Sequence, residues 1–361
     1  MVVLFLNKWY PNLDNPSSSI FVRKHAKAVS FFAKVISFHI SPSTKIKSII
    51  KIDKFLDENI NTIIIYYKKS NFVFDSFLYI ICLIIGTFII LKNYKKIDLI
   101  QVNITASLML FTALFFKLFK NIKFITLEHS SFYLRITNKK ESMKKLGFNN
   151  KFYVIPNVVF EGFENIKIKQ SFEDNIIKII SVFNLNDKTK NISSLLIGFK
   201  KFLDTYKKEF KDKDIILDIY GDGKDKRKLT NLASELNLLN KNVFFKGAVD
   251  NKVLKDLMSD YDFFVLFSRV ETFSVVTLEA MLCGLPVIAT KCGGPEEYLK
   301  PEYGILIDKE DIEQLVNAFY FMCKNYKNFD REKISEFVKE NYSYSKISNK
   351  FKELYQEILN I

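Results

Sequence analysis

The sequence predicts an α/β protein of two domains, each built on a parallel sheet. The clearest evidence is an apolar run, Phe263–Phe267, followed by a polar break, a helical pattern and a second apolar run, Val287–Ala289. Short apolar runs of this kind are typical of strands buried on both faces, and strand, helix and parallel strand form a βαβ unit. The length of 361 residues is enough for about two domains. A composition of 48% hydrophobic and 26% charged residues is that of a globular chain.

Two glutamates follow the first strand of this unit. Glu271 lies in the polar break, and Glu279 comes about two turns along the predicted helix. We therefore expect both carboxylates on one side of the helix, near the N–H groups of Phe273, Ser274 and Val275. Free N–H groups at a helix start attract phosphate, and carboxylates accept hydrogen bonds from sugar hydroxyls. The combination favours a nucleotide sugar, although two such glutamates alone are more often ordinary solvated charges.

A longer pattern surrounds the two glutamates. Residues 268–297, S-x-x-E-T-F-S-V-V-x-L-E-A-M-x-x-G-L-P-V-I-A-T-x-x-G-G-P-E-E, resemble the E-x7-E signature of the family-4 retaining glycosyltransferases, of the group 1 glycosyl transferase type. The resemblance implies the GT-B fold, in which two Rossmann-like domains face a central cleft and a C-terminal helix crosses back onto the first domain. Ser274 stands where the family usually has glycine, and serine is small and suits a helix start.

In the first half of the chain, apolar runs alternate with helical patterns. The predicted elements are strands at Val2–Leu6, 61–66, Asp98–Asn103 and Lys123–Leu127 and helices at Ile20–Phe32, Phe72–Leu91 and Thr105–Phe119. The segment before the first helix resembles the family's N-terminal segment, where a glycine-containing loop faces the acceptor and the donor phosphates. Ser18 and Ser19 occupy the region of that glycine, so the resemblance assigns Ser19 to donor binding. The start of the chain lacks the pattern of a signal peptide.

The helix predicted at Phe72–Leu91 contains a run of 16 apolar or small residues. A membrane-spanning helix needs about 20 residues. We therefore expect a core helix of the first domain with one face on a membrane surface, and a short spanning helix is the alternative. The second apolar helix ends in Lys117 and Lys120, which favours contact with an anionic surface.

A histidine follows the strand predicted at Lys123–Leu127. A lone histidine is more often structural than functional, but the strand-end position and the resemblance place His129 near the donor sugar. The family often has histidines at the positions of Gln101 and Asn103. These amides keep hydrogen bonding and lose the ability to titrate.

The second half of the chain continues the alternation, with further strands predicted at Ile176–Phe183, Ile215–Tyr220, Asn242–Lys246 and Gly304–Ile307 and helices at Asp311–Tyr326 and Tyr344–Leu359. Residues 181–191, SVFNLNDKTKN, resemble the family's diphosphate-binding stretch. Lys190 aligns with its lysine and Asn184 with its arginine, while Lys188 is another source of positive charge. Gly247 ends a strand near which the family's nucleobase packs. Asp260-Tyr261-Asp262 looks like a metal-binding motif, but Asp262 leads into a strand instead of ending one, so no metal site is expected.

The expected domains follow these elements. An N-terminal acceptor-side domain covers 1–155, a linker 156–175, a nucleotide-sugar domain 176–335, and helices at 336–361 return to the first domain. The segment 130–155 is shorter and more polar than in the family, which normally has a further helix, strand and helix there.

Charge is distributed unevenly along the chain. Residues 1–150 hold 22 lysines and arginines against 8 acidic residues, while residues 151–361 hold 32 of each. A one-sided basic domain predicts an anionic partner, here an anionic membrane surface, although a generically solvated basic surface is the simpler alternative. No nucleic-acid-binding motif accompanies the charge. The four cysteines show no paired spacing, which is typical of reduced thiols in a cytoplasmic protein.

The sequence and its resemblance therefore predict a metal-independent, retaining glycosyltransferase that needs no cofactor. Its expected donor is a nucleotide diphosphate sugar, and its acceptor a glycan or a polyprenyl-diphosphate-linked sugar in surface polysaccharide synthesis. We expect a cytoplasmic protein, peripheral on the inner membrane face. By resemblance, Glu271, His129 and Lys190 are the catalytic residues. The alternatives are a non-catalytic GT-B partner subunit, which the replacements at Asn184 and Ser274 would fit, and a nucleotide-sugar 2-epimerase.

Overall fold

The structure is a computed structural model that describes residues 1–16, 18–103, 108–127, 153–159, 166, 168–169, 173, 175–210 and 212–360. The chain divides into two compact units. Unit 1 is drawn from Met1–Ser130, Lys139–Val158 and Tyr344–Ile361, and unit 2 chiefly from Val159–Ser343. The short segment predicted around 130–155 lies for the most part outside the described residues.

The strands and helices alternate along the chain. The strands are β1 (Val2–Asn7), β2 (Lys34–Ser43), β3 (Ile50–Asp57), β4 (Ile60–Lys68), β5 (Leu99–Asn103), β6 (Lys123–Leu127), β7 (Ile176–Val182), β8 (Asp214–Tyr220), β9 (Val243–Gly247), β10 (Phe263–Leu266), β11 (Val287–Thr290) and β12 (Gly304–Ile307). The helices are α1 (Ile20–Ser30), α2 (Phe72–Asn93), α3 (Met109–Lys120), α4 (Asp187–Lys190), α5 (Ile192–Tyr206), α6 (Lys226–Glu235), α7 (Asn251–Met258), α8 (Val275–Leu282), α9 (Ile312–Asn325), α10 (Arg331–Tyr342) and α11 (Tyr344–Leu359).

The described strands of unit 1 form one sheet in the order β3-β4-β2-β1-β5-β6. Neighbours are parallel except β3 and β4, which form an antiparallel hairpin. Its turn residues Glu58 and Asn59 both have positive φ, 47° and 69°. A two-residue hairpin turn of type I′ requires this conformation at both positions, and asparagine tolerates it well. The hairpin places a charged, half-exposed strand at the edge of the sheet.

Helices cover both faces of the unit 1 sheet. The helices α2 and α3 bury one stripe each in a single apolar cluster with β1, β2, β4 and β5. Gly86 of α2 lies so close to the sheet that an added Cβ would stand 2.1 Å from the Phe38 ring. On the other face, α1 and α11 pack through Val29, Phe351 and Tyr355 against Val3 and its neighbours. The C-terminal helix therefore belongs to the core of unit 1.

Among the described residues, α2 alone has the length and composition of a membrane-spanning helix. It has 22 residues, and its most apolar stretch of 18 residues has a mean hydropathy of 2.4 and is 22% buried. The buried residues Leu78, Cys82, Gly86 and Ile90 follow a four-residue period, which is one stripe of a helix. The expectation of a core helix is therefore correct for that stripe only.

The sheet of unit 2 has its described strands in the order β12-β11-β10-β7-β8-β9, all parallel. One apolar cluster fills the space between this sheet and its helices. The predicted α/β class with two largely parallel sheets is confirmed. Because all strands of unit 2 run in one direction, the loops at their carboxyl ends lie along one edge of the sheet, where ligands bind in folds of this class.

Candidate functional site

The loops after β7, β8 and β9 are fastened to one another at this edge. Leu185 N–H donates to Asp222 O at 2.9 Å, and Gly221 N–H donates to Gly247 O at 2.7 Å. Gly221 has φ 128°, and a Cβ there would stand 1.7 Å from Phe183 O. The Gly-Asp-Gly turn is therefore a close backbone packing point, and only glycine fits its first position.

A lysine and a glutamate meet beside these loops. Lys190 Nζ, at the end of α4, lies 2.5 Å from Glu271 Oε1 in the loop after β10. Ser268 Oγ donates to the same oxygen at 2.8 Å. The side chains are 22% exposed for Lys190 and 11% for Glu271, so the pair is shielded but still in contact with solvent. A cation, a carboxylate and a hydroxyl thus converge on one point at the carboxyl edge of unit 2.

Arg269 fixes the position of the segment that carries Lys190. Its backbone N–H donates to Thr189 O at 2.8 Å, and its Nη1 donates to Asp187 O at 2.7 Å. The Nε atom of Arg269 pairs with Glu310 at 2.6 Å. The guanidinium is therefore a clamp between loops. Arg269 and Ser268 lie in the polar break of the sequence, but nothing in the pattern marked them as positioning residues.

The carboxylate of Asp187 also holds the segment that carries Lys190. It accepts hydrogen bonds from Ser193 N–H at 2.8 Å and Ser193 Oγ at 2.6 Å, and pairs with Lys228 at 2.8 Å. Burial alone would raise the pKa of Asp187, but the hydrogen bonds from Lys228 and Ser193 outweigh it, and the pKa is lowered. Asp187 therefore stays ionised and holds α4 against the start of α5.

The Glu271 loop is also held by its backbone. Glu271 N–H donates to Cys292 O at 2.9 Å, and Gly294 N–H donates to Glu271 O at 3.0 Å. A Cβ on Gly294 would stand 2.4 Å from the carbonyl carbon of Phe273, so these loops are in backbone contact. The Phe273 ring packs at 5.9 Å from Tyr298. Backbone hydrogen bonds and close packing thus support Glu271, as a site for an oriented ligand requires.

Helix α8 begins directly after this loop. Ser274 has φ 59° and ψ 71°, a left-handed conformation, and its Oγ lies 2.8 Å from Thr277 Oγ1. This is the position at which the related family usually has glycine, a residue that adopts this conformation at lower cost. The N–H groups of Val275 and its neighbours belong to the first turn, where a helix has no internal acceptor for them.

The remaining predicted residues of unit 2 are spread along the same edge or on α8. Glu279 lies in α8 and is 7% exposed. Asn184 is exposed in the loop after β7, and Lys188 is exposed on α4. Gly247 has φ 79°, and a Cβ there would meet nothing within 4 Å, so there is open space beside the loop. The structure brings Lys190 and Glu271 into contact, and records no hydrogen bond from them to Asn184 or Gly247 among the described residues.

Two predicted residues belong to other parts of the chain. Ser19, in unit 1, precedes α1 with φ 48° and makes no side-chain cap. Its left-handed conformation is one that glycine also favours. His129 lies outside the described residues.

The unit 1 sheet carries a buried chain of side-chain hydrogen bonds. Tyr355 Oη donates to Gln101 Oε1 at 2.6 Å, and Gln101 Nε2 donates to Asn103 Oδ1 at 2.9 Å. Asn103 Nδ2 donates to Asn7 Oδ1 at 2.7 Å, and Asn7 Nδ2 donates to Ser37 Oγ at 2.9 Å. The amides that replace the family's histidines thus satisfy one another, and they connect α11 to β5, β1 and β2.

The part of the chain that the structure describes contains no cluster of three or more His, Cys, Asp or Glu side chains that could hold a metal ion. The Asp262 carboxylate accepts from Lys178 N–H at 2.8 Å and pairs with Lys169 at 3.0 Å. These contacts tie the residue that precedes β10 to β7 and to Lys169.

The site lies within a segment that matches a known family. Residues 162–341 match the model of the family described as Glycosyl transferases group 1. The chain is 26% identical over 283 residues to an uncharacterized glycosyltransferase, MJ1069, of Methanocaldococcus jannaschii. The aligned region covers 67% of this chain and 70% of that protein. It is 30% identical over 156 residues to the GtfA subunit of UDP-N-acetylglucosamine–peptide N-acetylglucosaminyltransferase of Streptococcus parasanguinis. This aligned region covers 41% of this chain and 30% of that protein. The match thus spans less than a third of the latter relative.

Solved structures extend the likeness to the whole chain. Sucrose-phosphate synthase from Thermosynechococcus elongatus is similar with a TM-score of 0.72 over 99% of both chains, at 16% identity. HepE of Anabaena, solved with UDP, is similar with a TM-score of 0.68 over 99% of this chain and 100% of that chain, at 15% identity. At these identities the likeness shows the fold, and the fold is that of the GT-B proteins.

Proposed function

We propose that this chain, in which residues 162–341 match the model of the family Glycosyl transferases group 1, transfers a sugar from a nucleoside diphosphate sugar to a glycan or lipid-linked acceptor. The proposal assigns it to polysaccharide or glycolipid synthesis. The observation that carries it is the contact between Lys190 and Glu271, with Ser268 on the same carboxylate oxygen, at the carboxyl edge of the unit 2 sheet.

The charges of this group suit a leaving diphosphate. In the structure, Lys190 and Glu271 neutralise each other at 2.5 Å. When a diphosphate binds, the Lys190 ammonium can bind its oxygens, and Ser268 remains on the Glu271 carboxylate. Glu271 then accepts hydrogen bonds from the hydroxyl groups of the donor sugar. A preorganised cation placed where negative charge develops is the most effective way to stabilise such a transition state.

The first turn of α8 adds a second source of positive potential. The N–H groups at Phe273, Ser274 and Val275 would hold the phosphate, and Glu279 would bind the ribose hydroxyls. Gly247, with open space beside it, would border the nucleobase. Asn184 would donate a hydrogen bond to the diphosphate where the related family has an arginine, at the cost of one charge.

The chemical step we propose retains the configuration of the sugar. The bond between the anomeric carbon and the diphosphate oxygen breaks, and a bond to the acceptor oxygen forms on the same face. The acceptor's proton passes to the departing diphosphate, so the step requires no protein nucleophile. By the family resemblance, His129 is assigned to the donor sugar and Ser19 to the donor phosphates. No metal or cofactor enters this scheme.

We assign the acceptor to a membrane. The excess of positive charge in residues 1–150 would attract the chain to an anionic lipid surface at the cytoplasmic membrane face, where a polyprenyl-diphosphate-linked acceptor is available. A nucleic acid is not part of the proposal.

The test is a donor screen by mass spectrometry. The purified chain is incubated with individual nucleoside diphosphate sugars and a membrane lipid extract, beginning with UDP-sugars because two of the similar proteins carry UDP in their names or structures. We expect one donor to yield a lipid product heavier by one sugar residue, and we expect the yield to persist in EDTA. Donor binding without transfer or hydrolysis would favour a partner subunit, and a donor isomerised at C2 would favour an epimerase. Loss of the product in EDTA, restored by Mn²⁺ or Mg²⁺, would contradict the metal-free scheme.

A further inference from the structure

The outer faces of α2 and α3 are apolar and exposed. Besides Phe72, Val73 and Phe74 in its first turn, α2 exposes Phe77, Ile80, Ile84 and Phe88, and α3 exposes Phe111, Leu114, Phe115, Leu118 and Phe119. Phe88, Leu118 and Phe119 are exposed by 71%, 77% and 71%. Both sets follow the three- and four-residue spacing of one helix face. We call the nine residues outside that first turn the apolar face. Contiguous exposed apolar surface of this kind marks an interaction site on a soluble protein.

The two halves of the apolar face point away from the same side of the sheet. The inner stripes of α2, including Leu78 and Ile90, share one buried cluster with Met109 and Phe116 of α3. Helices that bury their inner sides in one cluster on one side of a sheet direct their outer sides to the same side of the molecule. The helices are also neighbours in the fold. Both halves of the apolar face therefore lie on one side of the sheet, entirely within unit 1.

Lysines border the apolar face. Residues 68–120 contain seven lysines and two acidic residues, Asp75 and Asp98. The exposed lysines lie before α2, after α2, and in the last turn of α3: Lys68, Lys69, Lys92, Lys95, Lys96, Lys117 and Lys120. An apolar face bordered by basic residues matches the surface of an anionic bilayer. The acyl chains suit the apolar side chains, and the negative headgroups suit the lysines around them.

We propose that the apolar face inserts into the surface of an anionic membrane, with α2 and α3 lying in the plane of the interface. The inference deepens the proposed function, on which it rests for its purpose, because it places unit 1 at the surface where a lipid-linked acceptor is found. It differs from electrostatic attraction alone, since apolar side chains enter the bilayer.

The packing of α2 distinguishes this arrangement from two others. A helix that crossed the bilayer would have to leave the sheet, because Gly86 and its stripe are packed against Phe38 in the core. A second copy of the chain on the same face would place two basic borders opposite each other in a symmetric interface, which like charges disfavour. An anionic lipid surface matches both features, because its acyl chains accept the apolar face and its negative headgroups pair with the lysine border.

Vesicle sedimentation tests the proposal with matched variants. The first variant is Phe88→Ser, Leu118→Ser and Phe119→Ser together, and its control is Ile197→Ser, Val253→Ser and Phe321→Ser on the exposed surface of unit 2. A second variant is Lys92→Glu, Lys95→Glu and Lys120→Glu, with Lys208→Glu, Lys241→Glu and Lys309→Glu as its control. All the positions are exposed, so the fold should survive, and circular dichroism checks this.

We expect the wild type to bind phosphatidylglycerol vesicles and to bind phosphatidylcholine vesicles at least tenfold more weakly. The serine variant should lose at least tenfold in binding at low and high salt alike. The glutamate variant should lose as much at low salt only, because the screening length falls from about 10 Å at 0.1 M to about 3 Å at 1 M. Both controls should bind like the wild type.

Fluorescence quenching locates the inserted residues. In a Trp9→Phe background, which removes the single tryptophan, Phe88→Trp or Phe119→Trp should be quenched by brominated acyl chains, and Phe321→Trp should not. Absence of quenching, wild-type binding by the serine variant, or a dimer in sedimentation velocity that this variant disperses would overturn the proposal. Resistance of the cellular protein to carbonate extraction would overturn it in favour of a spanning helix. Donor hydrolysis in solution, measured on the same variants, separates these outcomes from a failure of the proposed function.

Discussion

Lys190 Nζ lies 2.5 Å from Glu271 Oε1, although 81 residues separate the two in the sequence. The fold creates this contact, because α4 follows β7 and the Glu271 loop follows β10, and these strands are neighbours in the sheet. The clamp formed by Arg269 keeps the two loops together. Because the Glu271 carboxylate already holds the Lys190 ammonium in place, the cation does not have to be repositioned when a diphosphate binds. This preorganisation is the basis of the proposed mechanism.

Replacement of Glu271 should slow the transfer step more than it weakens donor binding. In Glu271→Gln, the side chain keeps its shape and loses the charge that orients the sugar hydroxyls. A hydrogen bond to a charged group contributes roughly 1.5–3 kcal/mol, so we expect kcat to fall about 10- to 100-fold. Steady-state kinetics with the donor found in the screen provide the measurement, with Glu313→Gln on the exposed start of α9 as the control. An unchanged kcat would remove Glu271 from the mechanism.

Replacement of Glu279 should affect nucleotide binding instead. In the proposed site its carboxylate binds the ribose. Glu279→Gln should therefore raise the Kd of the nucleoside diphosphate about 10-fold or more, because a hydrogen bond to a charged group is lost. Isothermal titration calorimetry of the free nucleotide gives this value without any need for an acceptor. If Glu279→Gln binds the nucleotide as tightly as the wild type, the ribose assignment is wrong.

The backbone at Ser274 predicts an order of stability between two variants. Both Ser274→Gly and Ser274→Ala lose the contact with Thr277, but only alanine keeps a Cβ in the left-handed conformation at φ 59°. That conformation costs a residue with a Cβ about 1–2 kcal/mol, and the entropy of glycine offsets part of this. The glycine variant should therefore unfold about 2–4 °C above the alanine variant. Equal melting temperatures would show that the loop relaxes on substitution.

Much of the fold could be predicted from the sequence, and the part that could not has a physical explanation. The β10–α8–β11 unit was predicted to within two residues, because its buried strands are uninterrupted apolar runs. The strands β2 and β3 were not predicted. In β2 the apolar run is broken by buried polar residues such as His39, and in β3 the edge position allows charged residues at half of the positions.

The site could be predicted in its members but not in its contacts. Local pattern and family resemblance selected Lys190 and Glu271 separately, with different expected roles. Their ion pair depends on the order of strands in the sheet, which no local pattern contains. Ser268 and Arg269 were missed because a serine and an arginine in a polar loop are common, and only the three-dimensional structure shows which oxygen each one contacts.

Two buried histidines predict a loss of stability in mild acid. Burial lowers the pKa of His25 and of His39 to about 4, and a hydrogen bond to Pro156 O or Asn7 O only partly opposes it. In the unfolded chain these histidines have a pKa near 6.5. Between about pH 6.5 and 4 the native state therefore binds fewer protons than the unfolded state. Stability must therefore fall as pH decreases through this window, by about 2 kcal/mol per histidine at pH 5.

Urea unfolding at pH 7 and pH 5 measures this effect. His25→Gln should reduce the difference in unfolding free energy between the two pH values by about half, whatever its effect on stability at pH 7. Glutamine is neutral at both pH values, so the comparison isolates the titration. A wild type with equal unfolding free energies at pH 7 and pH 5 would mean that the two imidazoles are not buried as neutral groups.

The measurement that tests the central claim most directly is the release of nucleoside diphosphate from a nucleoside diphosphate sugar by the wild type and by Lys190→Gln. Lys208→Gln, an exposed lysine of unit 2, is the matched control. We expect the wild type and the control to release the diphosphate at the same rate in the presence of acceptor lipid, and Lys190→Gln to do so at least 100-fold more slowly. Release by Lys190→Gln at the wild-type rate would contradict the assignment of the site, and no release by the wild type with any donor would contradict the proposed activity.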